Sequence, residues 1–502
     1  MENRATMLSV PTSSSPAAVT PQRWLVLFIV SSALLLIVVD MTVLYTALPR
    51  LTHELGVSAS AKLWIVNIYG LVVAGLLPGM GTLGDRLGHK RMFMGGLAIF
   101  GLASAAAAYA PSAAVLIAAR VLLAVGAAMM MPATLSIIRL TFTDARERAV
   151  AIGVWASVAS GGAAVGPVVG GMLLEHFWWG SVFLVNVPIV LLALPLAWRC
   201  IARSVPQAAH PWDVLGSLQV MVGLVCSAYA LKELGRPAPA LDVALATGLA
   251  GVVFLWIFVR RQRGMAYPLI DFSLFRNRLF CSAVATAVLT TAALLGMELV
   301  LTQRLQLVQD YSPLEAALFI LPIPVAAFVA GPLAGWLLPR VGERRLLAVS
   351  LLLSGLGAGG YWLGYDGDQT LQMLVLALLG LGLGAAMTAA SSTIMQSAPP
   401  DRAGMAASIE EVSYELGGAV GVTLMGSLLS AVYARGLPQD MSARVRDSLD
   451  EALAMAQTLP LEAGAQLAGM AKGAFDAGFF AVMAGVTALL LGAALLVACN
   501  RS

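Results

Sequence analysis

Three glutamates, Glu410, Glu411 and Glu415, lie inside one long apolar run near residues 403–434. Glu411 and Glu415 are four residues apart and therefore share a face of a helix, whereas Glu410 is turned about 100° away from Glu411. Two carboxylates stacked in a medium of low dielectric constant repel each other, so at least one of them favours binding a proton. The run therefore predicts a site that exchanges protons or binds cations. Glu410 can be interpreted in two ways. It is either a member of that site or a residue near the cytoplasmic end of the helix that pairs with Arg402.

Single charged residues also interrupt other apolar runs. Asp40 lies in the outer half of the first run, about 17 residues or roughly 25 Å of helix beyond Arg23. Glu298, in the ninth run, is a secondary candidate for protonation. A charge at the centre of a membrane helix costs about 2.5 to 3.5 kcal/mol, so such residues normally face a cavity or a partner and have a function. Arg120 is the one basic residue inside a predicted span, and we expect it to contact a carboxylate, a backbone carbonyl or water.

Aromatic side chains near these charges are candidates for holding a lipophilic cation. A cation over an aromatic ring gains about 2 kcal/mol when both are removed from water. The candidates are Tyr45, Trp64, Tyr69, Trp155 and Tyr414. For each of them, packing or a place in the aromatic belt at the membrane surface is the alternative interpretation.

The overall composition indicates a membrane protein. Apolar residues make up 59% of the 502 residues and charged residues only 11%, whereas soluble domains carry about 25% charged residues. Fourteen apolar runs predict an all-α protein that crosses the lipid bilayer fourteen times. The net charge of +3 is small and spread over short loops, so we expect no nucleic-acid partner. The four cysteines are scattered without metal-binding spacing, so we expect no metal site.

The basic residues predict the orientation in the membrane. Most of the 30 Lys and Arg residues fall in segments that are cytoplasmic if the amino terminus is inside, in agreement with the positive-inside rule. Residues 1–22 are rich in Ser, Pro and Ala and lack the pattern of a signal peptide, which predicts a disordered cytoplasmic tail. Both termini are therefore expected in the cytoplasm.

An eleven-residue segment occurs twice. GTLGDRLGHKR at 81–91 and GWLLPRVGERR at 335–345 share the pattern Gly-x-Leu-x-x-Arg-x-Gly-x-basic-Arg, and each lies between two apolar runs. Such repeats are typical of transporters built from two parallel halves. The copies are offset by eight runs, where two six-helix halves would give six, which predicts an inserted helix pair. The predicted divisions are a first half at 23–199, an inserted pair at 200–263, and a second half at 264–502 with an outer helical loop at about 435–473.

The outer loop has a pattern of its own. Val445, Leu449, Leu453 and Met455 recur at near-helical spacing. This spacing predicts two short amphipathic helices that pack outside the membrane.

The first copy of the repeat, residues 81–91, is called the hinge. Gly81 and Gly88 permit tight turns and close approach of backbones. Asp85 is placed to accept hydrogen bonds from Arg86 or Arg91, or to meet the end of a neighbouring helix. Such a contact would hold one conformation closed, and an ordinary basic loop is the alternative.

The fifth apolar run carries small residues at helical spacing. They are Gly153, Gly162, Gly166, Pro167, Gly170 and Gly171. Glycines on successive turns let another helix backbone pack closely, and Pro167 introduces a kink. We expect this helix to pack tightly and to close one side of a central cavity.

These residues resemble motifs of the major facilitator superfamily. The hinge is similar to motif A, the fifth run to the antiporter motif C, and residues 39–49 to the first-span signature of the fourteen-helix drug/proton antiporters, with Tyr45 where Asn is usual. The corresponding motif A residues are Gly81, Asp85, Arg86, Gly88 and Arg91. Arg120 looks like the motif B arginine, although the next six residues lack the usual Gln-Gly pair. The resemblance covers nearly the whole chain and extends to quaternary-ammonium efflux pumps of the QacA and SmvA type.

The resemblance implies a major facilitator fold of two six-helix halves plus the inserted pair. It also implies a proton-coupled multidrug efflux antiporter in the bacterial inner membrane, working by alternating access as a monomer without a cofactor. The implied substrates are lipophilic and quaternary ammonium cations, including dyes and biguanide or quaternary-ammonium antiseptics. Arg120 is implied in proton coupling, and acids of the helix at 403–434 in recognising cationic drugs.

The charge balance agrees with these substrates, because the embedded acids outnumber the single predicted embedded arginine. A major facilitator exporter or symporter of a metabolite is the alternative, since it would share the fold. We do not expect an enzyme, because the four histidines lie at loops without a catalytic arrangement, and no Walker A motif is present.

Overall fold

The computed structural model describes residues 20–55, 59–203, 213–234, 240–265, 268–365, 367–399, 402–439 and 441–499. The helices are α1 Thr20–Glu54, α2 Ala59–Leu87, α3 His89–Ala108, α4 Ala113–Thr141, α5 Ala145–His176, α6 Ser181–Leu184, α7 Asn186–Cys200, α8 Val214–Leu234, α9 Leu241–Gln262, α10 Arg278–Gln303, α11 Pro313–Ile320, α12 Pro322–Val341, α13 Glu343–Leu363, α14 Gln369–Ser397, α15 Ala403–Gly436, α16 Ala443–Asp447, α17 Leu449–Ala456 and α18 Leu461–Cys499. A 3-10 turn, Phe272–Arg276, precedes α10, and a π-helical turn, Arg304–Val308, follows it. Most of the predicted tail lies outside the described residues.

Within the described residues, thirteen helical segments are long and apolar enough to cross a membrane, which confirms the prediction of an all-α membrane protein. The fifth predicted span lies on α5, which is 32 residues long and is not among those thirteen. The number of fourteen spans therefore stays a prediction. Hydrogen bonds within each helix satisfy the backbone groups that a bilayer would leave unpaired.

Several helices begin where the sequence supplies a cap. Asp144 caps α5 by accepting hydrogen bonds from the backbone N–H groups of Arg146 and Glu147, both at 2.9 Å. The bond from the Glu147 backbone is the largest cause that lowers the pKa of Asp144. Asn277 and Asp368 cap α10 and α14 in the same way. These caps fix where the connecting segments end and the spans begin.

The two ends of the bundle carry different connections. The hinge end is the end at which α2 meets α3 and α14 meets α15, and the loop end carries α16 and α17. Helices α2 and α4 pack against α15, and α5 packs against α12. These contacts join the predicted first half to the predicted second half.

The predicted inserted pair is α8 and α9, which pack against each other. Helix α8 also packs against α2 and α15, where Thr423 of α15 donates a hydrogen bond to the carbonyl of Leu231 at 2.8 Å. Helix α9 is mostly exposed, with Leu245 and Leu249 about seven-tenths accessible. An apolar, accessible face of this kind suits contact with lipid.

The prediction of two short helices near the loop end is confirmed. Helix α16 buries Val445 and α17 buries Leu449, while Leu453 packs partly buried against the core. Tyr433 at the end of α15 donates a hydrogen bond to the carbonyl of Val445 at 2.9 Å. The connection between α15 and α18 is therefore packed onto the bundle.

Candidate functional site

The embedded charges of the first half form a closed cluster. Arg120 on α4 donates a hydrogen bond to one carboxylate oxygen of Asp40 on α1 at 2.8 Å. The other oxygen of Asp40 accepts from the side-chain amide of Asn186 on α7 at 3.2 Å, and the same amide lies 3.2 Å from Ser104 Oγ on α3. All four side chains are buried. The partner of Arg120, which the sequence leaves open, is thus Asp40.

Tyr69 on α2 completes this cluster. The guanidinium of Arg120 lies over its ring, 4.6 Å from the ring centroid. Its hydroxyl is buried and has no hydrogen-bond partner among the described residues. Tyr69 is within reach of the charges of both Asp40 and Glu415 of α15. Of the five aromatic candidates, Tyr69 is the one that stacks on an embedded charge in the described part of the chain.

The three glutamates of α15 lie in different surroundings. Glu410 is fully buried and accepts a hydrogen bond from Ser391 Oγ on α14. Glu411 is also buried, and Oε1 of its carboxyl has no hydrogen-bond partner among the described residues. Glu415, one turn further along the helix, is half-buried. The structure therefore brings all three acids into one region of α15 but gives each a different exposure.

The alternative interpretation of Glu410 as a partner of Arg402 is wrong. Arg402 pairs with Asp271 at 2.8 Å, and Glu410 is turned toward α14. The prediction that Arg120 is the single embedded arginine is also wrong. Arg304 is 2% exposed, lies within a membrane-length segment, and pairs with Asp476 of α18 at 2.8 Å. The predicted apolar run ends before Arg304, whereas in the structure the helix continues through a π-helical turn that includes this residue.

The remaining sequence candidates have other surroundings where the structure describes them. Glu298 on α10 is exposed and makes no hydrogen bond or ion pair within the described part of the chain. Trp155 is buried and donates a hydrogen bond to Thr134 Oγ1 at 3.1 Å. Trp64 is 42% exposed and stacks on Tyr229 of α8. The side chain of Tyr45, like that of Pro167, lies outside the described residues.

The hinge contacts the beginning of the acid-bearing helix. Asp85 accepts hydrogen bonds from the backbone N–H groups of Gly404 at 2.8 Å and Met405 at 3.2 Å, the first residues of α15. It also lies 3.3 Å from His89 Nε2. A carboxylate at the positive end of a helix is favourable. Of the partners predicted for Asp85, the neighbouring helix terminus is therefore the one that the structure shows.

Backbone geometry supports the internal repeat. Gly88 has φ 96°, and Gly342 at the matching position of the second copy has φ 86°. These left-handed values favour glycine, because other residues place Cβ too close to the backbone. Gly81 has a different function, since a Cβ there would overlap the carbonyl of Gly404 and the hydroxyl of Ser408 on α15. Helices α2 and α15 thus approach each other backbone to backbone beside Asp85.

A second connection, not foreseen in the sequence, also holds this end of α15. Residues 268–277, called the strap, join α9 to α10. Within the strap, Asp271 pairs with Arg402, and its backbone N–H lies 3.3 Å from Met405 Sδ. The Ser273 hydroxyl and N–H, together with the Arg402 guanidinium, hold the pKa of Asp271 below its ordinary value. The strap is anchored at Leu269, which donates its N–H to Gln262 of α9 at 2.6 Å.

The small residues of α5 pack against two different helices. Near the hinge end, a Cβ on Gly153 would overlap the backbone of Gly331 on α12. Further along, Gly162 faces Val38 and Gly166 faces Thr42 on α1. Gly170 is buried, but a Cβ on Gly171 would meet no described atom within 4 Å. Close packing is therefore observed at Gly153, Gly162 and Gly166, and Gly171 does not take part in it.

Sequence reasoning missed Asn186, Ser104 and Ser391. One signal for Ser391 was available, since four hydroxyl residues, Thr388, Ser391, Ser392 and Thr393, lie together inside an apolar run and are all fully buried. Buried hydroxyl groups need partners, so such a group marks a polar contact. Asn186 and Ser104 are single polar residues and gave no comparable signal.

Buried ion pairs and acids inside a bundle of membrane-length helices define a multi-pass membrane transporter. The model of the Major Facilitator Superfamily matches residues 30–422. The chain is 41% identical over 461 residues to the methyl viologen resistance protein SmvA of Salmonella typhimurium, covering 90% of this chain and 93% of SmvA. It is 38% identical over 488 residues to the multidrug efflux pump LfrA of Mycolicibacterium smegmatis, covering 95% of this chain and 96% of LfrA. The chain belongs to the major facilitator superfamily.

Solved structures agree with this fold. The human organic anion transporter MFSD10 superposes with a TM-score of 0.60 at 15% sequence identity, covering 93% of this chain and 99% of that chain. The proton:xylose symporter XylE also superposes with a TM-score of 0.60, at 12% identity and 95% coverage of both chains. At these identities the likeness concerns the fold alone.

Proposed function

We propose that the protein is a proton-coupled efflux antiporter that exports lipophilic and quaternary ammonium cations across the bacterial inner membrane. The observation that carries this proposal is that Tyr69, whose ring lies under the guanidinium of Arg120 of the Asp40 pair, is also within reach of the charge of Glu415 of α15. Acids from the two predicted halves therefore act on one place in the bundle. The names of the relatives SmvA and LfrA, which concern methyl viologen resistance and multidrug efflux, support the same class of substrate.

The charge of the site favours cations. Arg120 is compensated by Asp40, and Arg304 by Asp476. The carboxyl groups of Glu410 and Glu411 are buried, and the hydrogen bond described for them comes from an uncharged hydroxyl. When these acids lose protons, the region becomes negative, and a desolvated cation is attracted strongly where the dielectric constant is low.

The hinge end is proposed to face the cytoplasm, with both termini on that side. In the present conformation two contacts hold the hinge end closed. Asp85 of α2 accepts a hydrogen bond from the start of α15, and Asp271 of the strap pairs with Arg402. Protons arriving from outside compete with the bound cation for the acids and release it outward. When the hinge end opens, the protons leave to the cytoplasm, and the acids regain affinity for a cation.

The test is accumulation of ethidium in cells that express the protein, with and without a protonophore. We expect low accumulation in expressing cells, full accumulation after the protonophore, and loss of export in Glu415→Gln and Asp40→Asn. Glu462→Gln, an exposed acid at the start of α18, is the matched control and should export normally. Export levels are compared at equal amounts of protein in the membrane.

Unchanged ethidium accumulation in every strain would refute cation efflux. In that case, metabolite export or symport would remain as the function of this fold. Export that survives the protonophore would refute proton coupling while leaving efflux in place.

A further inference from the structure

Glu410 differs from its neighbour Glu411 in what holds its carboxyl group. Ser391 Oγ on α14 donates a hydrogen bond to it. The hydroxyl of Tyr414, one turn further along α15, lies 3.3 Å from Ser391 Oγ. The second oxygen, Oε2, is buried without a hydrogen-bond partner among the described residues. The hydrogen bond that holds this acid thus comes from an uncharged hydroxyl group, and a second hydroxyl lies beside that donor.

A buried carboxyl group held by a hydroxyl group suits a proton better than it suits a larger cation. A hydroxyl donates to a carboxylate and accepts from a carboxylic acid, so both protonation states remain hydrogen-bonded. Glu410 is fully buried, and a lipophilic cation needs an open face of its own size. Glu415 is half-buried, and its charge reaches Tyr69 of the first-half cluster.

We propose that Glu410 carries the exchanged proton on α15, that Ser391 positions its carboxyl group, and that Glu415 faces the transported cation. This inference rests on the proposed function. The proton that Glu410 releases at the hinge end goes to water, and the proton that it gains comes from the opposite side, so no other reactant is needed.

Helix α14 links the hydrogen bond between Ser391 and Glu410 to the packing of other helices. Gly380 and Gly384 of α14 lie directly against the backbone of Ile323 and Ala327 on α12. Helix α12 in turn packs on α5 beside Gly153. A change in the bond between Ser391 and Glu410 would therefore act, through α14, on the packing of α12 against α5.

The groups that face Glu410 are few. The titratable side chains that act on it are Glu411 and Tyr414, both on α15. At the same end, Asp85 of α2 is bonded to the backbone of Gly404, and Arg139 of α4 donates to the carbonyl of Ala398. The pH dependence of Glu410 should therefore respond to Ser391 directly.

The experiment uses the full-length protein in proteoliposomes and measures ethidium transport driven by an imposed proton gradient, at a series of pH values. Ser391→Ala removes a donor from the carboxylate, so the proton is held more tightly and the pH of half-maximal transport should rise by about one unit. Ser392→Ala is the matched control, because Ser392 is equally buried on α14 and its hydroxyl has no partner among the described residues. Ser391→Thr keeps the hydroxyl and should restore the original profile.

A second measurement does not depend on Ser391. In detergent, Glu410→Gln should bind ethidium within about twofold of the wild type but release no proton on binding, whereas Glu415→Gln should lose binding by about tenfold or more. An unchanged pH profile in Ser391→Ala, an equal shift in Ser392→Ala, or proton release that survives Glu410→Gln would overturn the inference. Failure of the wild-type protein to transport ethidium would instead refute the proposed function.

Discussion

Asp40 and Arg120 are 80 residues apart in sequence, yet their side chains form a 2.8 Å ion pair that is closed to solvent. The pair joins α1 to α4, and Asn186 of α7 holds the second carboxylate oxygen. Two buried charges are stable only together, because either one alone would be uncompensated in a medium of low dielectric constant. A proton on Asp40 would therefore free Arg120, whose guanidinium already lies over Tyr69. We propose that Arg120 couples protonation to movement through this arrangement.

The first prediction concerns the stability of this pair. Arg120→Met leaves Asp40 buried without its cation and should lower the free energy of unfolding by about 3–5 kcal/mol. Combining Arg120→Met with Asp40→Asn should cost less than the sum of the two single changes, because neither charge is then left alone. Thermal melting of the purified protein in detergent measures the loss of stability in the single variants and in the double variant. Strictly additive losses would contradict the pairing.

A second prediction concerns the cap that Asp85 places on α15. Asp85→Asn weakens the interaction with the helix terminus by about 1 kcal/mol, which should shift the closed hinge end toward the open state by about fivefold. Asp144→Asn is the control, since Asp144 caps the helix that it precedes and, among the described residues, does not connect that helix to another one. Spin-label distances between α2 and α15 at the hinge end report the shift. Equal distance distributions in Asp85→Asn and wild type would show that the cap does not hold the closed state.

Sequence reasoning locates the embedded acids, the hinge and the packing glycines because each has a signal within a few residues. A charge in an apolar run, a repeat of eleven residues and glycines on successive turns are all local patterns. The partner of Arg120 has no such signal, since α1 and α4 meet only in the folded chain. The strap is missed for the same reason, because Asp271 and Arg402 lie 131 residues apart.

Two predictions fail for reasons of helix geometry. The sequence offers Arg402 as a partner of Glu410 because both lie near the start of one apolar run, yet Arg402 precedes the helix and turns to the strap. The sequence also leaves Arg304 outside the ninth predicted span, because the apolar run ends before it. The chain there continues through a π-helical turn, which keeps the guanidinium inside and over the rings of Tyr365 and Phe479.

A third prediction separates two glycines of α5 that the sequence treats alike. Gly153→Ala adds a methyl group that overlaps the backbone of Gly331, at a cost of about 1–3 kcal/mol, so transport should fall by roughly tenfold. Gly171→Ala adds the same methyl group where no described atom lies within 4 Å, and should transport like the wild type. Ethidium export at matched expression compares them. Equal activity of the two variants would remove the packing argument for Gly153.

The last prediction concerns the strap and pH. The pKa of Asp271 is held below its ordinary value of 3.8 in the folded protein by the Ser273 hydroxyl and N–H and by Arg402. A carboxyl group with a lowered folded pKa contributes stability that is present above its ordinary pKa and is lost as the pH falls through the folded pKa. The melting temperature of the wild type should therefore exceed that of Asp271→Asn by a constant amount from about pH 7 to about pH 5, and the difference should shrink below about pH 4. Glu451→Gln on α17 is a control acid at the loop end, remote from the strap. A difference that grows on acidification would contradict the ion pair between Asp271 and Arg402.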